Sequence, residues 1–149
     1  MNARLSIAAI AAHLSAALDP ALGLTRVGTG YDRDYITNFS KAWPAVWVAA
    51  QRLTRLDDGR GFSGVFRQHC KVEIAVRLVV QRYADGSVDG EARLNALHNA
   101  VADALKDWTP PGADEPLVWE SAADGDATES LMSADLIFST ACTYARAAT

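Results

Sequence analysis

The chain has 149 residues, of which 50% are hydrophobic and 21% charged, and its formal net charge is −4. This length and apolar share predict one globular domain over residues 1–149 and exclude a wholly disordered chain. The acidic surplus, with no basic stripe, argues against a nucleic-acid-binding protein. Two cysteines are too few for a disulfide scaffold, so a reducing compartment is the simpler expectation.

The first predicted element is an amphipathic helix that begins after Asn2 as its N-cap and ends at Leu18. Ile7, Ile10 and Leu14 recur at spacings of three and four, which is the period of one helix face. Polar residues interrupt this segment, so a signal peptide is not expected. No stretch of the chain approaches the roughly 18 apolar residues of a membrane span.

Two strands are predicted next, on either side of an irregular excursion at 31–42. The first is Leu22–Val27, closed by a glycine turn at 28–30, and the second is Ala45–Leu53. Strict alternation in the second strand places Val46, Val48 and Ala50 on one face, and Trp47, Ala49 and Gln51 on the other.

A glycine-rich, charged stretch at 57–64 predicts a long connection, and we treat 54–68 as a mobile arm. The following segment, Cys70–Gln81, has six apolar residues at period two and predicts a long strand covered on one face. The second helix is predicted from Asp89, with its apolar stripe formed by Leu94, Leu97, Val101, Leu105 and Trp108.

Two further strands are predicted at Leu117–Glu120 and Met132–Ala145, separated by an acidic loop at 121–129 and followed by a frayed tail at 146–149. Short connections between neighbouring strands favour antiparallel pairing. The expected fold is therefore α+β: a two-layer sandwich in which two main helices pack on a mostly antiparallel sheet of four to five strands.

The sequence carries no pattern for catalysis, a cofactor or a metal, so we expect no enzyme. Of the three histidines, His13 and His98 lie on separate helices and have no acidic or thiol partners at ligand spacing on the same face. His69 and Cys70 are adjacent on a strand, so their side chains should face opposite ways. Cys70 and Cys142 are read as small buried thiols, with a disulfide conceivable if their strands are neighbours.

Two groups of residues are left as candidate protein interfaces. Trp43 and Trp47 flank the start of a strand, where they either pack on the sheet or anchor a partner. The arm is either a solvated hairpin tip or a segment that orders against a neighbouring subunit. Its candidate contact residues are Arg55, Asp57, Asp58, Arg60, Phe62 and Arg67.

The order of these elements resembles that of the tail terminator proteins of long-tailed bacteriophages. The similarity covers residues 3–145: the first helix, the strand Val72–Gln81, the second helix with its stripe and Pro110, and the closing strand with Leu136-Ile137-Phe138-Ser139-Thr140. The excursion at 31–42 and the alanine-rich first helix depart from the family's pattern.

The resemblance implies a structural role in virion assembly. Members form a six-membered ring that caps the tail tube, stops its polymerisation and joins it to the head-completion proteins. It implies that the chain's partners are itself, the tube protein and the neck proteins, with DNA only passing through the lumen and no membrane involved. It places the protein at the tail–neck junction of the virion after assembly in the host cytoplasm. The alternatives are a head–tail joining subunit of the neck, or a small ligand-binding or enzymatic α+β domain.

Overall fold

Two helices and one sheet make up the described part of the chain. The structure, a computed structural model, describes residues 4–24, 26–29, 45–57, 65–82, 89–125 and 131–147. In chain order its elements are α1 (Ile7–Ala17), a 3-10 turn (Pro20–Leu22), β1 (Arg26–Thr29), β2 (Ala45–Arg55), β3 (Val65–Gln81), α2 (Gly90–Leu105), β4 (Val118–Asp124) and β5 (Leu131–Ala147).

The described strands form a five-stranded sheet in the order β1-β2-β3-β5-β4. β1 pairs with β2 in parallel, and every other neighbouring pair is antiparallel. β3 and β5 are each 17 residues long and pair over their whole length, so they form the centre of the sheet. The excursion predicted at 31–42 lies outside the described residues.

Both helices pack on the same face of the sheet, which we call the helix face. α1 lies against β1 and β2, while α2 lies against β3 and β5. The apolar stripes of the helices pack in one core against the alternating side chains of β3 and β5 that face them. The fully buried side chains of these two strands are Val72, Ile74, Val76, Leu78, Leu136, Phe138 and Cys142. The predicted α+β sandwich is confirmed. Within the described ranges, no helix is long and apolar enough to cross a membrane.

The first helix begins later than predicted, at Ile7 with Ser6 as its N-cap. The Ser6 hydroxyl accepts a hydrogen bond from the Ala9 backbone N–H at 3.1 Å, which satisfies one of the free donors of the first turn. Leu5, just before the cap, is buried. The predicted N-cap Asn2 was therefore wrong, because a serine at the start of the apolar stripe supplies the cap instead.

The strand predicted at Leu22–Val27 is displaced toward the C-terminus. Pro20 begins a 3-10 turn, whose N-cap Asp19 accepts a hydrogen bond from the Ala21 N–H at 2.9 Å. Gly23 then adopts the left-handed conformation (φ 66°), which glycine tolerates best, and ends the turn. β1 begins only at Arg26 and includes the Gly28–Thr29 pair that was predicted to be a turn.

A β-bulge in β2 overturns the predicted alternation of that strand. Val48 pairs with Val76, but Ala50 pairs with Ala75, so one extra residue stands in β2 between them. Beyond the bulge the faces exchange: Gln51 lies opposite Ile74, on the helix face, and Ala50 lies on the opposite face. Period two alone could not show this change of phase.

The second helix has the predicted Asp89 N-cap and stripe but ends at Leu105, before Trp108. Asp107 takes a positive φ of 62° after the helix and turns the chain. The Trp108 ring then stacks on the His13 ring with centroids 3.8 Å apart, and His13 Nε2 lies 2.9 Å from the Ala104 carbonyl oxygen. These contacts tie the two helices together.

β4 extends to Asp124, so residues 121–124, predicted as loop, belong to a strand. Every side chain of β4 is exposed, and small residues follow Glu120, so no hydrophobic alternation marks the strand. It pairs with β5, whose one edge is bonded to β3 and whose other edge is bonded to β4. β5 itself continues two residues past its predicted end, to Ala147.

Candidate subunit interface

The base of the predicted arm is the described end of the β2–β3 pair, and Asp57 fixes its geometry. The Asp57 carboxylate lies 2.5 Å from His69 Nδ1 through one oxygen and accepts the His69 backbone N–H at 3.2 Å through the other. Gln68 Nε2 donates to the Asp57 carbonyl at 3.1 Å, and the Leu56 N–H donates to the His69 carbonyl at 2.9 Å. These contacts hold Leu56 and Asp57 against β3 at the end of the described strand pair.

The contacts of Asp57 with His69 and Gln68, which we call the Asp57 clamp, orient the chain and add little stability. The Asp57 and His69 side chains are 40% and 57% exposed, so water screens their attraction. His69 is exposed, whereas Cys70 next to it is buried in the core. The adjacent pair thus faces opposite ways, as strand geometry requires, and does not form a thiol–imidazole site.

The arm base presents positive charge on both faces of the sheet. Arg55 pairs in register with Cys70 and so lies on the helix face, while Arg67 pairs with Ala145 on the opposite face. Both arginines are exposed. Leu56, which lies between the end of β2 and Asp57, is 60% exposed. A partner that binds this end of the molecule would contact an arginine on each face of the sheet and the apolar side chain of Leu56.

Trp47 lies far from the arm. It stands near the start of β2, eight residues before Arg55, which is about 26 Å along an extended strand. Its side chain is 1% exposed, and the Arg26 guanidinium carbon lies 5.6 Å from its ring centroid. It belongs to a small second cluster on the face away from the helices, formed with Ala45, Val79 and Leu131.

The structure therefore separates the sequence-predicted interface residues into two places. Arg55, Asp57 and Arg67 lie at the arm base, on different faces of the sheet, and Trp47 is buried toward the other end of the sheet. The remaining candidates, Trp43, Asp58, Arg60 and Phe62, lie outside the described residues.

The sheet face opposite the helices, which we call the open face, carries mostly small and charged side chains outside the Trp47 cluster. Its central feature is a two-point ion pair between Arg77 of β3 and Asp135 of β5: Nε donates to Oδ1 at 2.9 Å and Nη2 to Oδ2 at 3.2 Å. The two residues are directly opposite in the register. Neither described helix packs on this face.

A second exposed surface, missed by the sequence reading, is the edge strand β4. Val118 and Trp119 are 55% and 46% exposed, which is high for large apolar side chains. Trp119 leans against His98 of α2, with ring centroids 6.5 Å apart. Among the described strands β4 has a neighbour on one side only, so its outer edge offers backbone groups to another chain.

A shallow groove beside the 3-10 turn is too small to suggest a small-molecule site. Its volume is about 210 Å³, below the roughly 300 Å³ at which ligand pockets begin. Arg93 is the charged residue in its lining, and the Arg93 guanidinium already donates to the Gln81 carbonyl at 2.5 Å. Within the described ranges, no cluster of three or more His, Cys, Asp or Glu is placed to hold a metal ion.

Comparison with known proteins agrees with a structural role. The sequence matches the family described as phage tail terminator protein over residues 1–148. No curated protein matches it. A solved structure, the virion of a native gene transfer agent particle, contains a chain with the same fold: the TM-score is 0.64 at 17% identity, over 94% of this chain and 96% of that one. Because the family match spans nearly the whole sequence, the chain belongs to the phage tail terminator family and is a structural protein of the virion.

Proposed function

We propose that this chain is a tail terminator that assembles into a ring of six, caps the end of the tail tube, halts addition of tube subunits and presents a surface to the head-completion proteins. The observation that carries the proposal is the family match over residues 1–148. In this role the chain needs no cofactor and performs no catalysis. It would be placed at the tail–neck junction of particles assembled in the host cytoplasm.

The described surfaces support ring formation. A cyclic ring joins one patch of a subunit to a different patch of the next, so each subunit must offer two unlike surfaces. The β4 edge with Val118 and Trp119 lies at one end of the strand order, and the short parallel strand β1 lies at the other. The arm base, with Arg55 and Arg67, offers a third surface suited to the tube or to a neighbouring subunit.

The net charge of −4 suits a channel through which DNA passes without being held. A protein that neutralises phosphates needs clustered Lys and Arg, whereas this chain has 14 basic against 18 acidic residues. We therefore propose no specific DNA contact.

Purified chain added to polymerising tail-tube subunits tests this function. We expect native mass spectrometry to show a ring of six subunits on the tubes, and electron microscopy to show capped tube ends and arrested growth. Tubes that keep growing with bare ends at saturating chain would overturn the proposal. If the ring instead binds heads and ignores tubes, the protein is a neck subunit.

A further inference from the structure

Cys70 and Cys142 face each other across the central strand pair. They are direct partners in the antiparallel register of β3 and β5, and both point into the helix-face core. Directly opposed residues in such a pair have Cα atoms about 4.5 or 5.5 Å apart, depending on the type of pair. Both separations lie inside the range of about 4.4–6.8 Å that a disulfide bridges.

The two thiols are free in this structure and differ in their access to solvent. Cys142 is fully buried, whereas Cys70 is 8% exposed. On the helix face, the next row toward the arm base is the Gln68–Tyr144 pair, which is only half-buried. The cysteine pair therefore stands at the margin of the core, where a small opening of the sheet end admits a small reagent to Cys70.

The surroundings of Cys142 disfavour its thiolate form. Burial raises its pKa to about 11, and the neighbouring Asp114 and Cys70 raise it in the same direction. Asp114 is held in place beside β5, because its N–H donates to the Ala141 carbonyl at 2.8 Å and its carboxylate accepts the Thr143 hydroxyl at 2.5 Å.

We propose that Cys70 and Cys142 are a redox modification site, in which a reversible cross-strand disulfide locks β3 to β5 when the protein meets an oxidising environment. A structural protein of the virion meets such conditions once the particle is outside the reducing cytoplasm. This inference goes beyond the tail-capping function and does not depend on it.

The oxidant is a low-molecular-weight disulfide, and the reaction proceeds by thiol–disulfide exchange. The Cys70 thiolate attacks one sulfur of the reagent, which breaks the reagent's S–S bond, forms a mixed disulfide and releases one small thiolate. The Cys142 sulfur, losing its proton, then attacks Cys70 Sγ and releases the second. The two cysteines are oxidised by two electrons, the reagent is reduced to two thiols, and these thiols take up the two protons.

The bond would join the two longest strands across the 71 residues that lie between the cysteines, a segment that includes α2 and β4. Closing a loop of this length restricts the unfolded chain, so we expect the melting temperature to rise by about 10 °C. The native strand register already holds the cysteines opposite each other, so the fold need not rearrange.

The test is incubation of the folded chain in glutathione buffers of increasing oxidised fraction, followed by acid quenching, intact mass spectrometry and thermal unfolding. We expect loss of two hydrogens per chain, loss of both titratable thiols and a rise in melting temperature that dithiothreitol reverses. Since the same wild-type protein is compared in two redox states, no variant is needed for the main result. The Cys70→Ala and Cys142→Ala variants serve as controls and should show no oxidation-dependent rise.

Two results would overturn the inference. One is persistence of both thiols in fully oxidised glutathione while the protein is folded. The other is oxidation that yields only glutathione adducts or intermolecular dimers, because a pair in contact should exchange within the chain. Formation of the internal bond without a rise in melting temperature would overturn the locking role.

Discussion

Gln51 shows how a single residue on the helix face can connect distant segments. The β2 bulge turns its amide toward the core, where Nε2 donates to the Leu5 carbonyl at 2.8 Å and Oε1 accepts the Leu5 N–H at 3.0 Å. Both backbone groups precede α1, so this side chain fixes where the helix enters the fold. A polar side chain satisfied at both ends costs little to bury.

We expect the Gln51→Ala variant to lose about 1–3 kcal/mol of unfolding free energy, because two half-buried backbone groups lose their partner. The measurement is urea denaturation at equilibrium. The neighbouring Arg52→Ala variant is the matched control, since Arg52 is exposed and a surface substitution should change stability by less than about 0.5 kcal/mol. Equal losses in the two variants would contradict the role given to Gln51.

The raised pKa of Cys142 predicts that the stability of the fold depends on pH. This pKa rises from 9.0 to about 11 in the folded protein, with burial as the main cause. Between those values the folded state holds a proton that the unfolded state has lost, so stability falls as pH rises from about 9 to 11. Below pH 9 both states are protonated and the contribution is constant.

The measurement is the free energy of unfolding of reduced protein against pH, compared between wild type and the Cys142→Ala variant. We expect the difference between the two curves to be flat up to pH 9 and to shrink above it. Parallel curves through pH 11 would show that the thiol is not protected as described.

At the scale of elements, the sequence predicted those whose side chains alternate between core and solvent. β3 and the stripe of α2 are unmistakable because one whole face of each is apolar. β4 has no such face, since it is an edge strand with exposed side chains, and its pairing depends on a strand distant in sequence. β1 is four residues long and starts after a 3-10 turn, so local pattern could not place it.

The same reasoning explains what the sequence could predict of the candidate interface. Charged residues beside glycines indicate an exposed connection, and Arg55, Asp57 and Arg67 lie exposed at its base. From the sequence, Trp47 could equally be an interface anchor or a residue packed on the sheet. In the structure it is buried beside Val79 and Leu131, which lie on other strands. Val118 and Trp119 give no signal until the strand order places them at an edge.

Deleting part of the arm tests its role in assembly. Deleting residues 57–64 removes the Asp57 clamp and the connection beyond it, so we expect the subunit to fold but to lose ring or tube contacts. Light scattering should then report monomers where the full-length chain forms a ring on tubes. The Asp57→Asn variant is the control, because it weakens the His69 contact while keeping the arm. An unchanged ring that still caps tubes would remove the arm from the interface.

For the whole molecule, alanine supplies 28 of the 149 residues, so a small number of large apolar side chains must form the core. They do so by lying on one face of the sheet and on two helix stripes. This arrangement leaves the open face, two sheet edges and the arm base without helical cover in the described ranges. The proposed ring would use surfaces of this kind, because each copy would bind two neighbours and the partners above and below.

As a tail terminator, this chain should end the growth of the tail. Electron microscopy of particles made without this gene, and of particles complemented with it in trans, measures tail length directly. We expect overlong tails of variable length without attached heads in the first sample, and joined tails of uniform length in the second. Tails of normal, uniform length in the absence of the chain would contradict it.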